Sequence, residues 1–270
     1  MTASNTTQAS PLPSLQGKVA AITGGTRGIG RGIAEAFLNA GACVAINGRS
    51  ADKGAQAITE MGATDRTLFI AGDVKQQRAV EAFIAGTIER FGKIDILVNN
   101  AGGSSGFAPV AQLSDEAWSE ANNWILNSCF WATRAALRDM ETRQWGRIIN
   151  ISSVEGRQAS KAAVSHYITF KHAMNGFTKA VAFEYGTQGI TCNAISPGGV
   201  ETDLMLEQGP AAAESMGITY EAFKDNYAQE SAIKRLNTIA EINAVALLLA
   251  ADTGGGITGA NMQVDGGTAL

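Results

Sequence analysis

The chain is poor in the residues that metals and disulfides require. It has two histidines, His166 and His172, and three cysteines, Cys43, Cys129 and Cys192, with no CxxC pair. An odd number of dispersed thiols fits reduced cysteines in a cytoplasmic protein rather than a disulfide framework. No acidic cluster shows metal-ligand spacing, so no metal site is expected. Basic runs are absent and the formal net charge is −4, which argues against a nucleic-acid partner. The longest wholly apolar run, Ala244 to Ala251, is too short to span a membrane. Met1 to Ser14 is rich in Ser, Thr, Asn and Pro and has neither a basic n-region nor an apolar h-region. Positions 1–14 are therefore expected to form a disordered polar tail rather than a signal peptide. The 270-residue chain is 45% hydrophobic, and residues 15–270 can bury one sizeable core.

What is abundant is glycine at strand ends. Lys18 to Thr23 reads as a buried strand that runs into Gly24-Gly-Thr-Arg-Gly-Ile-Gly30 and then a helix from Gly30 to Asn39. Gly24 allows backbone angles closed to side chains, and Gly28 and Gly30 allow close approach of a ligand and a neighbouring strand. A helix N-terminus beyond such a turn suits a pyrophosphate. Further strands are expected at Ala42–Asn47, Thr67–Ala71, Ile94–Val98, Gly146–Ile151 and Ile190–Ile195. Helices are expected between them at Ala51–Met61, Gln76–Phe91, Asp115–Glu141 and Ser165–Tyr185. Regular alternation predicts an α/β fold built on a doubly wound parallel sheet. Each of the six strands ends at a Gly, Asn, Ser or Asp cluster. Turn chemistry explains any one of these, but six in register point to one crevice at the carboxyl edge of the sheet.

Thr23-Gly-Gly-Thr-Arg-Gly-Ile-Gly30, Asp73, Asn99-Asn-Ala-Gly102, Ser153, Tyr167-x-x-x-Lys171, Pro197-Gly198 and Val264-Asp-Gly-Gly267 together resemble the short-chain dehydrogenase/reductase family, in its short single-domain branch. The resemblance runs from about Leu15 to the C-terminus. It implies a single-domain Rossmann-type sheet flanked by helices on both faces, and an oxidoreductase interconverting a ketone and a secondary alcohol by hydride transfer. A 3-oxoacyl thioester reductase, or a nucleotide-binding regulator with the fold and little turnover, are the alternatives.

Tyr167 and Lys171 are four residues apart and share a helix face. An ammonium beside a phenol is expected to lower the phenol's pKa towards neutrality, so that Tyr167 exchanges a proton with the substrate oxygen while Ser153 hydrogen-bonds the same atom. By resemblance, Lys171 also holds the nicotinamide ribose. Asp73 and Val74 would contact the adenine, Asn100, Ala101 and Gly102 the cofactor backbone, and Val200 and Thr202, after Pro197 and Gly198, the nicotinamide amide. Gly24, Thr26, Arg27, Gly28, Ile29 and Gly30 form the phosphate turn. The second strand ends at Gly48-Arg49 with no carboxylate. Arg49 and Arg27 together suit a 2′-phosphate, so NADP is expected and NAD is the alternative. The family usually adds an asparagine that holds a relay water, and that position here falls on Ile125. Asn122 lies one helical turn earlier and could partly substitute, Asn123 less so, while Asn127 points to a different face. Residues 203–231 are expected to form a lid, with Leu204, Met205, Leu206, Met216, Tyr220, Phe223 and Tyr227 either facing a partly hydrophobic small-molecule carbonyl or alcohol or packing the lid onto the body. The two long helices carry Trp124, Phe130, Trp131, Phe177 and Phe183, more aromatic surface than one sheet face needs. By resemblance they pair across a two-fold axis in a homo-oligomer, a tetramer.

Overall fold

The computed structural model describes residues 13–269; all but the last two positions of the expected tail lie outside them. Seven parallel strands form one sheet: β1 (Val19–Ile22), β2 (Cys43–Gly48), β3 (Thr67–Ala71), β4 (Ile96–Asn99), β5 (Gly146–Ile151), β6 (Ile190–Pro197) and β7 (Asn261–Val264). Their order is β3-β2-β1-β4-β5-β6-β7, the doubly wound arrangement with its switch point between β1 and β4. β1 and β6 are buried at every position. Helices cover both of their faces, so neither strand presents a solvated side.

The helices are α1 (Gly28–Asn39), α2 (Ala51–Met61), α3 (Gln77–Phe91), α4 (Asp115–Asn122), α5 (Ser128–Arg143), α6 (Ser165–Tyr185), α7 (Asp203–Ser215), α8 (Tyr220–Gln229) and α9 (Ile239–Ala250). Ile33, Phe37 and Leu38 of α1 pack with Ile242 and Leu249 of α9 over one sheet face. Phe83 and Ile84 of α3, Leu137 and Met140 of α5 and Val181 of α6 cover the other. Both spacings are those of a helix burying one stripe. Among the described residues no helix is long and apolar enough to cross a membrane.

The structure departs from the sequence reading in three places. α9 and β7 were not anticipated: the Ala244–Ala251 run that fills most of α9 is apolar all round and shows no helical period. The helix expected over Asp115–Glu141 is interrupted at Asn123–Asn127 by a π-helical turn, in which the Ser128 N–H reaches back to the Asn123 carbonyl. A π turn holds an extra residue, so the spacing that stacks Asn122 over position 125 in a regular α-helix does not apply here. Asn127 donates its Nδ2 to Asn123 Oδ1 at 2.7 Å, so these two amides engage each other.

A buried polar chain ties sheet to helices behind the strand ends. Asn99 Nδ2, on β4, donates to Asn150 Oδ1 on β5 at 2.8 Å and to Thr133 Oγ1 on α5 at 3.1 Å. Asn150 Nδ2 donates to Thr178 Oγ1 on α6 at 2.8 Å. Asn150 is fully buried, and removing it strands partners that cannot turn to water. Asn150→Ala is expected to lower unfolding stability by about 1–3 kcal/mol in urea titration. A loss below about 0.5 kcal/mol, within the range of neutral surface changes, would show that the chain contributes little.

Candidate active site

The carboxyl ends of β1 to β6 open onto one cavity of about 800 Å³. After β1 the backbone enters the glycine turn, where Gly24 (φ +65°) and Gly28 (φ +57°) occupy left-handed conformations. Thr23 Oγ1 accepts the N–H groups of both Asn100 and Ala101 at 3.0 Å, and Asn100 Nδ2 donates to the carbonyls of Thr23 at 2.9 Å and Gly24 at 3.1 Å. This lacing closes the switch point between β1 and β4. It requires Gly30, since a Cβ there would fall 2.4 Å from Asn100 Nδ2.

Of the residues singled out from sequence, Gly24, Thr26, Arg27, Gly28, Ile29, Arg49, Asp73, Val74, Asn100, Ala101, Gly102, Ser153, Tyr167, Lys171, Pro197, Gly198, Val200 and Thr202 all line the cavity. Gly30 is not on the wall. It lies behind the turn, where its missing side chain admits Asn100. Cavity residues missed from sequence include Glu155, two positions after Ser153, as well as Lys75, Phe107, Trp124, Lys161, Glu230 and Thr268. The proximity of Glu155 to Ser153 and of Thr268 to the Val264–Gly267 motif could have flagged those two. The others arrive through tertiary packing.

Ser153 follows β5, and its Oγ accepts the Glu155 N–H at 3.2 Å. α6 presents Tyr167 and Lys171 on one face. The Lys171 ammonium, 4% exposed, donates to the Ile151 carbonyl at 2.7 Å and lies 5.6 Å from the Tyr167 ring centre. Burial lowers the Lys171 pKa to about 8, because a desolvated ammonium loses its hydration. The phenol does not follow the expectation of a pKa near neutrality. Burial pushes Tyr167 up, the Ser153 hydroxyl bond opposes that shift, and the Glu155 carboxylate adds to it. Desolvation of the phenolate here outweighs the Ser153 bond.

Ile125, fully buried in a cluster with Ala121, Cys129, Phe170 and Met174, flanks Gly102 on the same side as Lys171. The side chain at this position is apolar and offers no hydrogen bond. His166 points its Nε2 at the Ser105 carbonyl, 3.0 Å away, so it is committed to the loop after β4 and forms no pair with Ser153.

The lid region is helical, as α7 and α8. Among the described side chains of the expected lid set, Tyr227 is the one on the cavity wall. Tyr220 stacks on Phe223, whose ring in turn meets Tyr227, and the Tyr220 hydroxyl donates to the Met205 carbonyl at 3.4 Å. Leu206 and Met216 are exposed. Most of these side chains therefore join the two lid helices or face solvent.

The cavity suits a dinucleotide in size, and its phosphate turn already holds an anionic oxygen: the Gly28 N–H donates to Asp203 Oδ2 at 2.9 Å. Residues 18–212 match the family model described as short chain dehydrogenase. The D-beta-hydroxybutyrate dehydrogenase of Cupriavidus necator is 37% identical over 94% of this chain and 98% of its own length. A 3beta-hydroxysteroid dehydrogenase of Eggerthella lenta is 36% identical over 94% of this chain and 96% of its own. A variant of actinorhodin polyketide ketoreductase, solved with NADPH, superposes with a TM-score of 0.87 at 31% identity, covering 93% of this chain and 97% of that one. With the sheet order, the strand-end motifs and these relatives in agreement, the chain belongs to the short chain dehydrogenase family of oxidoreductases.

Proposed function

We propose that this enzyme is NADP-dependent and interconverts a ketone and a secondary alcohol, with Tyr167 as its acid and base. The carrying observation is the convergence of Ser153, Tyr167 and Lys171 on the cavity that also holds the glycine turn. A bound nicotinamide dinucleotide would supply or accept the hydride. Gly24, Gly28 and Ile29 would cradle its phosphates, Asp73 and Val74 its adenine, and Val200 and Thr202 its amide. Ser153 orients the substrate oxygen. Tyr167 gives that oxygen a proton in reduction and takes it back in oxidation. The positive charge of Lys171, buried beside the phenol, offsets part of the desolvation cost of the phenolate. Phe107, Val154, Val164 and Tyr227 also line the cavity, which supports a partly apolar substrate.

Tyr167→Phe is expected to reduce turnover by roughly 10²–10⁴-fold while cofactor affinity, read by fluorescence titration, stays within a few-fold. Retention of more than about a tenth of the activity would remove Tyr167 from the proton-transfer role.

The NADP reading rests on two guanidiniums at the cavity and no carboxylate at the end of β2. Arg27 and Arg49 both line the wall. The Arg27→Ala, Arg49→Ala double variant is expected to weaken NADPH binding at least tenfold more than NADH binding. Equal weakening of the two, or a parent that prefers NADH, would refute a 2′-phosphate site.

We also assign the α4–α5 and α6 faces to a homotetramer interface. Trp118, Phe130 and Phe183 are 41%, 39% and 91% exposed in the single chain, and large aromatics seldom remain in water without a partner. Light scattering at micromolar concentration is expected to give a mass near four chains, and a monomer mass would contradict the assignment.

A further inference from the structure

Two carboxylates of one element reach into the phosphate turn from outside it. Thr202 caps α7 through a bond to the Met205 N–H at 3.4 Å, which fixes the first turn of that helix against the glycine loop. From that turn, Asp203 Oδ2 accepts the Gly28 N–H at 2.9 Å. One turn further along, Glu207 Oε2 pairs with Arg27 Nη1 at 2.7 Å. Both acceptors lie one helical turn apart on the same face of α7. Asp203 and Glu207 also line a second cavity of about 160 Å³, together with Arg27, Arg31, Lys53 and Glu60. Arg31 is engaged elsewhere, by Glu35 and Glu60.

The geometry points to Asp203 and Glu207 as affinity- and specificity-determining residues that compete with the dinucleotide. Asp203 takes the N–H that a pyrophosphate oxygen would use, and Glu207 neutralises the guanidinium that would meet a 2′-phosphate. The second half of this inference rests on the NADP reading above; the first does not. A helix N-terminal N–H and an arginine are anion sites by their own chemistry, and here each already holds a carboxylate. The Arg27–Glu207 pair is open to solvent, 38% and 54% exposed at the side chains. An exposed pair is weak enough for a ligand to displace. It still subtracts from ligand affinity, because a protein that is only partly in its open state binds less tightly in proportion. The lid helix and the cofactor thus draw on the same two groups, and the anionic charge of α7 sets how much affinity the 2′-phosphate adds.

The test is calorimetric titration of three probes: NADPH, NADH, which has the pyrophosphate alone, and adenosine 2′-phosphate, which has the 2′-phosphate alone. Asp203→Asn is expected to tighten NADH and NADPH at least threefold and leave adenosine 2′-phosphate within twofold. Glu207→Gln is expected to tighten adenosine 2′-phosphate and NADPH at least threefold and leave NADH within twofold. Hydrogen exchange of the 203–207 amides gives a readout independent of affinity, and both variants are expected to speed it. Thermal melting confirms the fold, and Asp203→Ser, which keeps a helix-starting residue, replaces Asp203→Asn if that variant melts early. Unchanged or weakened NADH binding in the Asp203 variants, or unchanged adenosine 2′-phosphate binding in Glu207→Gln, would overturn the competition at that carboxylate. Arg27→Ala separates the two readings. If it leaves adenosine 2′-phosphate binding unaltered while Asp203→Asn still tightens NADH, the 2′-phosphate reading fails and the Asp203 competition stands.

Discussion

The site depends on one close approach, the insertion of the Asn100 carboxamide beneath the glycine turn. Its Nδ2 satisfies the carbonyls of Thr23 and Gly24, and Thr23 Oγ1 returns two bonds to the loop that carries Asn100. Buried backbone groups at strand ends must find partners, and here the ends of β1 and β4 satisfy each other. The arrangement tolerates no side chain at Gly30. With the two central strand ends locked together, the cavity floor is fixed. The glycine turn, Ala101 and Gly102 then keep their positions by virtue of the sheet rather than of any ligand.

Electrostatics at the site work against a background of burial. An acidic chain places an ammonium, Lys171, where water is nearly absent, and its pKa falls to about 8. The same burial raises the phenol beside it. Both shifts disfavour charge, so each group favours its neutral form relative to the same group in water. Glu155 adds a buried carboxylate two residues from Ser153, held by the N–H of Ser160 at 3.1 Å and by its hydroxyl. Its negative charge opposes ionisation of Tyr167 and braces the loop that carries Ser153.

Much of this was legible from local sequence. The strand-end clusters followed from turn chemistry and the rule that open parallel sheets bind ligands at their carboxyl edge, and all but Gly30 of the expected catalytic and cofactor residues line the cavity. What escaped was non-local or aperiodic. α9 presents an apolar run without a stripe, and β7 is short and only partly buried. The π turn at Asn123–Asn127 leaves no mark in composition, because it reflects how α4 and α5 meet the sheet and α6. The raised phenol of Tyr167 depends on desolvation by neighbours distant in sequence, which spacing alone does not report. The contact of Asp203 with Gly28 spans 175 residues. No local pattern encodes such a pair.

The pairing of β1 with β4 has a bearing on how the molecule comes to exist. Ala20 lies beside Ile96 and Ile22 beside Val98, so the first strand waits for the fourth before its inner edge is satisfied. β5, α6 and β6 must then follow before Ser153, Tyr167, Lys171 and Gly198 share one space. Parallel sheets join strands distant in sequence, and the loop entropy of such closures slows folding. A nascent chain emerging at about 5–20 residues per second therefore spends several seconds with β1 made and its partner unsynthesised. The binding cavity is a late product of synthesis, complete only once Tyr227, Glu230 and finally Thr268 have been made.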